Sequence, residues 1–173
     1  MFVKAVMSTE LSLPNMVIQH RGFFDSAELT RSIQGWYQEK KYSIDFPVYK
    51  QETRDTGVAY DQEWKGKKKV TEYIQFVVDV TVKVINMNNI EIIKDGRKEQ
   101  VQEAQVFVNI MPKLILDWQD SFNKSKRFIK WLDEVFRTRI LKYKIGDYWE
   151  DMVLANASDL ARTLRKSLGE ELA

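Results

Sequence analysis

From Val70 to Ile85 the chain alternates. Ile74, Phe76, Val78, Val80, Val82 and Val84 hold every second position, with Gln75, Val77, Asp79, Thr81 and Lys83 between them. Successive side chains of a strand point to opposite faces, so this period of two predicts one long strand with a buried face and a mostly solvated face. Such alternation belongs to an antiparallel sheet with one side on the core; strands of a parallel sheet, covered on both sides, read as continuous apolar runs. The inner face needs an apolar layer across it. The fold class that follows is α+β, built on a curved antiparallel sheet.

The remaining elements are read from periodicity and turn chemistry. Asn15 to Phe24 predicts a first strand. Asp25-Ser26-Ala27-Glu28 is a capping-box-like start, with Asp25 accepting from first-turn amides and Glu28 reaching back. Leu29, Ile33, Trp36 and Tyr37 follow at helical spacing, so a helix is expected over 26–40, weakened slightly by Gly35. Tyr42 to Thr53 reads as a strand in which Pro47 marks an edge or a bulge. Asp55-Thr56-Gly57 is a turn signal, and Val58 to Trp64 a further strand. Lys65 to Lys69 reads as a basic turn, and Asn86 to Asn89 as a second turn leading into a short strand, Ile90 to Ile93. Lys94-Asp95-Gly96-Arg97 has the composition of a hairpin turn. Val101 to Ile110 follows, with Ala104, Val106, Val108 and Ile110 facing inward. Pro112 is expected to break or bulge the chain before Leu114 to Trp118.

Past Ser121 the period changes to that of a helix. Phe128, Trp131, Leu132, Val135, Phe136 and Ile140 form one stripe, with Lys126, Arg127, Lys130 and Arg137 opposite, which predicts a helix over 121–143. Trp149, Met152, Val153, Asn156, Leu160, Leu164 and Leu168 form the stripe of another, over 147–168. The sheet is expected to wrap around the helix at 121–143, with the C-terminal helix added. Residues 1–14 read as an N-terminal leader, ordered or disordered, 15–146 as the α+β domain, and 147–173 as the C-terminal amphipathic segment.

The order of elements and several residues resemble the helix-grip, START-like (SRPBCC, polyketide cyclase-like) superfamily. The residues are Phe24-Asp25 with Glu28-Leu29 and Trp36, Tyr49-Lys50, Glu63-Trp64, Tyr73 to Phe76, Gly96, Asp117-Trp118 and Phe128 to Phe136. They span roughly 15–143 and form a pattern of apolar and aromatic positions with no catalytic motif. The chain has one helix after the first strand where two short ones are usual, and the helix at 147–168 is additional. The resemblance implies an apolar or amphipathic ligand held between sheet and helix. It transfers no catalytic residue.

Composition narrows the chemistry. The chain has 173 residues, enough for one domain with a proper core, and a formal net charge of +2 that demands no polyanionic partner. It has no cysteine, which removes disulfides and thiolate chemistry and fits a cytoplasmic protein. Met1 to Leu13 carries Lys4 and Glu10 and does not read as a signal peptide, and no apolar run approaches the ~20 residues that span a bilayer.

Candidate residues are few. His20 is the only histidine, with no partners in the sequence for a metal site or a hydrolytic triad, and reads as hydrogen-bonded or solvated. Asp61, Glu63, Glu72 and Asp79 fall on or beside neighbouring strands; cross-strand pairing with lysine is the expected role, with Asp79 pointing to water. Lys65, Lys67, Lys68 and Lys69 offer a basic surface for phosphates, or ordinary protection of a sheet edge. Trp36, Trp64, Trp118, Phe128 and Trp131 either line a pocket or fill the core. No cofactor or metal motif is read, and an enzyme is the least favoured class. The expectation is a small binding protein for an apolar or amphipathic molecule. The alternative is an interaction module, through residues 147–168 in a homo-oligomer or through the basic surface on a nucleic acid, a protein or a membrane.

Overall fold

Antiparallel pairing organises the chain from Thr9 to Leu116. The computed structural model describes residues 9–71, 74–116, 118 and 146–170. Strands β1 (Thr9–Ser12) and β2 (Met16–Phe24) are followed by helix α1 (Ser26–Glu39). Then come β3 (Ser43–Arg54), β4 (Gly57–Lys69), β5 (Ile74–Lys94) and β6 (Arg97–Leu116), and helix α2 (Gly146–Ser167). The six strands form one sheet in the order β1-β6-β5-β4-β3, with β2 also paired to β6. The protein is therefore α+β with a large antiparallel sheet. The helix expected over 121–143, with Phe128 and Trp131, lies outside the described residues, as does Glu72.

The alternation in β5 does what its period demands. Ile74, Phe76, Val78, Val80, Val82 and Val84 are buried, facing the buried Ala104, Val106, Val108, Ile110 and Leu114 of β6. Helix α1 begins where its cap predicts, with Asp25 Oδ1 accepting from the amides of Ala27 (2.8 Å) and Glu28 (3.1 Å). Glu28 does not complete the capping box; it pairs with Arg31 one turn on, at 3.3 Å. Leu29, Ile33, Trp36 and Tyr37 are the buried face. The register of β3 on β4 shifts between Asp45 and Val48, so Pro47 sits at a bulge. Asp95 and Gly96 both have positive φ, the backbone of a type I′ hairpin.

Three expected breaks are continuous strand. Lys65 to Lys69 is the end of β4, in register with Asp79 to Gln75 of β5. Asn86 to Asn89 is a bulge inside β5, with Asn86 at φ 55 and the register shifting between Ile85 and Asn88. The β3–β4 turn seats on that bulge: the Thr56 hydroxyl donates to Asn86 Oδ1 at 2.8 Å, and Asn88 Nδ2 donates to the Thr56 carbonyl at 3.0 Å. Pro112 lies within β6 at the junction between the segments paired to β2 and to β1. Its carbonyl accepts from Leu13 N at 3.0 Å, on the side where the chain turns from β1 to β2. A strand residue directs its N–H and C=O to the same side, so the missing donor of Pro112 costs no bond to β5.

Helix α2 is not an appendage. Val153, Ala157, Leu160, Ala161, Leu164 and Leu168 belong to the main core, packed against α1, β6, β2 and β5. Most of its apolar stripe is buried within the chain; Met152 is 37 % exposed. Trp149, partly buried, meets the Phe76 ring edge-on at 5.9 Å between centroids. Thr9–Ser12, within the expected leader, pairs with Lys113–Leu116.

Candidate ligand-binding cleft

The aromatic residues singled out in the sequence separate into two places. Trp36 and Trp64 are 3 % and 5 % exposed and fill the space between the C-terminal end of α1 and the sheet. Tyr37 stands between them: its ring centroid is 5.4 Å from Trp36, 6.4 Å from Trp64 and 5.9 Å from Tyr42. Gly66 makes room for it, because a Cβ there would meet the Tyr37 ring, with Cδ1 at 2.7 Å. The Tyr37 hydroxyl passes over Gly66 and donates to the carbonyl of Val78 at 2.7 Å. Burial, with the Asp79 carboxylate adding to it, raises the Tyr37 phenol far above its ordinary value, so it stays a neutral donor. Burial pushes Tyr42 up to about 12, against the bond Asn156 donates to its hydroxyl at 3.2 Å. Lys40 Nζ and Trp36 Nε1 both reach Asp159 Oδ2 of α2 at 3.1 Å and hold its carboxyl below the usual range. This set ties α1, α2 and the sheet together.

Trp118 joins the basic residues. Its indole N–H donates to the Thr71 carbonyl at 3.0 Å, and Lys69 Nζ stands 4.5 Å from the ring centroid, over its face. The lysines at the end of β4 divide by strand alternation. Lys65, Lys67 and Lys69 share one side; Lys68 is on the other, 5.7 Å from the Tyr42 ring centroid. Lys67 pairs with Asp45 at 3.4 Å. Lys65 is in register with Asp79.

Asp79 is not simply directed to water. Its side chain is only 17 % exposed, 3.8 Å from Lys113 Nζ, and its Oδ1 is buried without a hydrogen-bond partner. Burial raises its pKa, with Lys113, Lys65 and Lys67 pulling it back down. Lys113 is held mainly by Glu10 of β1 at 3.0 Å. Asp61 and Glu63 lie on β4 opposite Lys83 and Thr81. His20 Nε2 donates to the Phe23 carbonyl at 3.0 Å, and Nδ1 faces Glu170 at 3.5 Å. Among the described residues no three His, Cys, Asp or Glu side chains converge as a metal site would require.

Among the described residues, a wide opening lies at the other end of α1. A cleft of about 600 Å³ lies where the ends of β2 and α2 meet the start of α1 and the neighbouring parts of β5 and β6. Phe23, Phe24, Val101 and Leu168 supply apolar surface; Asp25, Ser26, Asn89, Gln100, Gln102 and Ser167 supply polar groups. Gln102 is fixed from one side, its Oε1 accepting from Ser26 N at 3.0 Å. Neither Trp36 nor Trp64 borders this cleft. Sequence reasoning missed it because its lining comes from five separate elements; the one local signal was Phe23-Phe24 directly before a helix cap.

No family model matches the chain, and no curated protein matches it. Among solved structures it is similar to an uncharacterized protein from Rhizobium leguminosarum, at 9 % identity over 96 % of this chain and 100 % of the other, with a TM-score of 0.27. At that score the likeness carries nothing about fold or function. Among the described residues no helix is long and apolar enough to cross a membrane.

Proposed function

We propose that the protein binds a small amphipathic molecule without transforming it, in the cleft at the N-terminal end of α1. The observation that carries this reading is the cleft itself. Its volume of about 600 Å³ falls within the roughly 300–1,000 Å³ of small-molecule sites, and its lining combines apolar side chains with a few polar ones. The other end of the same layer supports it by contrast, since Trp36, Tyr37 and Trp64 are buried there. In this reading the sheet is of the helix-grip type, with α2 in the place of the wrapped helix. The pairing of β2 with β6, and the core made by α2 against β2, β5 and β6, support that assignment.

The test is native mass spectrometry of protein purified from cells, before and after denaturation, on the wild type and on Val101→Trp, which places an indole in the cleft. A small molecule released by the wild type and absent from the variant is the expected result. A wild type that carries nothing, and that shows no chemical-shift change around Val101 and Leu168 against a panel of amphipathic compounds, would defeat the reading.

A further inference from the structure

A second hollow lies beside α2, in the two turns before its C-terminal end. It has a volume of about 450 Å³ and is lined by Met16, Val17 and Ile18 of β2 and by Ser158, Ala161, Arg162 and Arg165 of α2. The helix residues are spaced i, i+3, i+4 and i+7, which puts them on one face. Ser158 and Ala161 are small, so the helix face is hollow there. Arg162 and Arg165 flank the hollow, and both are exposed. Among the described residues neither arginine has a carboxylate within ion-pair distance; the nearby Asp159 is committed to Lys40 and Trp36. On the strand side Val17 is 56 % exposed; the charge of Arg162 is felt by Asp159, and Arg165 is exposed beyond it. Met16 Sδ approaches the Ser158 hydroxyl at 3.9 Å and closes the floor.

We infer that this hollow is a binding site for an amphipathic anion, whose carboxylate or phosphate is held by Arg162 and Arg165 and whose short apolar body lies on Met16 and Ala161. A guanidinium presents a planar fork of N–H donors that matches an oxyanion, and residues three apart on a helix are close enough for both forks to reach one headgroup. The site is separate from the cleft at the start of α1 and does not depend on the reading given to that cleft.

The test uses the full chain with ¹³C-methyl methionine, titrated with octanoate, octyl phosphate and neutral octanol. Met16 is the reporter at the floor of the site; Met87, opposite Val58 in β4, is the reference elsewhere in the sheet. Octanoate and octyl phosphate are expected to shift Met16 saturably, octanol about tenfold more weakly or not at all. Arg162→Gln with Arg165→Gln should weaken the anions by about tenfold or more, charge-assisted pairs being the strong ones. Arg162→Lys with Arg165→Lys should recover part of that loss. Both positions are exposed, and unchanged thermal melting of each variant verifies the fold. Co-sedimentation with phosphatidylglycerol vesicles, against phosphatidylcholine, names the source. Arginine-dependent binding to the first assigns the anion to a lipid headgroup; no vesicle binding assigns it to a soluble amphiphile. Equal affinity for octanol and octanoate, or anion binding unchanged in the glutamine variant, overturns the proposal.

Discussion

The two ends of α1 meet the same sheet and end differently. At its C-terminal end, Trp36, Tyr37, Tyr42 and Trp64 interlock over Gly66, and a buried hydroxyl reaches a backbone carbonyl of β5. At its N-terminal end, Phe23 is 54 % exposed beside the buried Phe24 and Leu168, and polar side chains of β5 and β6 line a cleft. The first end is a structural joint, in which every large ring has a neighbour and the central phenol a partner. The second has apolar surface left over and polar groups that water or a ligand must meet. Stability and binding are therefore expected to separate along one helix, and substitutions at the two ends should sort accordingly.

The largest effect belongs to the filled end. Tyr37→Ala removes a buried ring and its hydrogen bond, and is expected to cost about 3–5 kcal/mol in urea unfolding. Gly66→Ala puts a methyl group against that ring and should cost about 1–3 kcal/mol by overpacking. Full stability in Gly66→Ala would show that the joint has slack, and the contrast between the ends would weaken. Tyr37→Phe keeps the packing and removes the buried hydrogen bond to the Val78 carbonyl, for a loss of about 0.5–1.5 kcal/mol.

Asp79 sharpens the comparison from the opposite face of β5. Its folded pKa is raised, so the folded state holds this proton more tightly than the unfolded chain does. Stability from this group is greatest at low pH and falls as pH rises past the ordinary value of 3.8. Asp79→Asn is expected to flatten that fall and to raise the melting temperature at pH 7, with Lys113 still held by Glu10. A steeper fall in the variant would mean that the lysines around Asp79 outweigh its burial.

The smallest stability effect is expected at the open end. Phe23 is 54 % exposed, so Phe23→Ser should change unfolding by no more than about 0.5 kcal/mol. The same substitution should lower the retention of any co-purified molecule, read by native mass spectrometry. A large loss of stability would make the open end structural as well.

Much of the fold was legible in local sequence. The β5 alternation, the Asp25 cap, the stripe of α1, the Asp95-Gly96 hairpin and the bulge at Pro47 each depend on residues a few positions apart, and each is found. Misreadings arose where a distant residue sets the local geometry. Gly66 among lysines has the composition of a turn, but it is glycine because Tyr37 lies on it. Asn86 to Asn89 reads as a turn, but the β3–β4 turn seated there accommodates a bulge instead. Pro112 reads as a break, but Leu13 occupies the side on which its N–H is missing. For the aromatic residues, filling the core was one of the two roles expected. Trp36 and Trp64 went to the core, Trp118 to Lys69, and neither cleft was foreseen, because each collects its lining from separate elements.

The sequence by itself determined which residues face inward, where α1 starts and where the main hairpin turns, because side-chain period and cap chemistry act over a few residues. Tertiary structure alone decided that α2 covers the sheet, since an apolar stripe states that a face is buried but not against what. It also decided which end of α1 is filled and which is open. That depends on the summed volumes of side chains brought together from several elements, and no local pattern encodes such a sum.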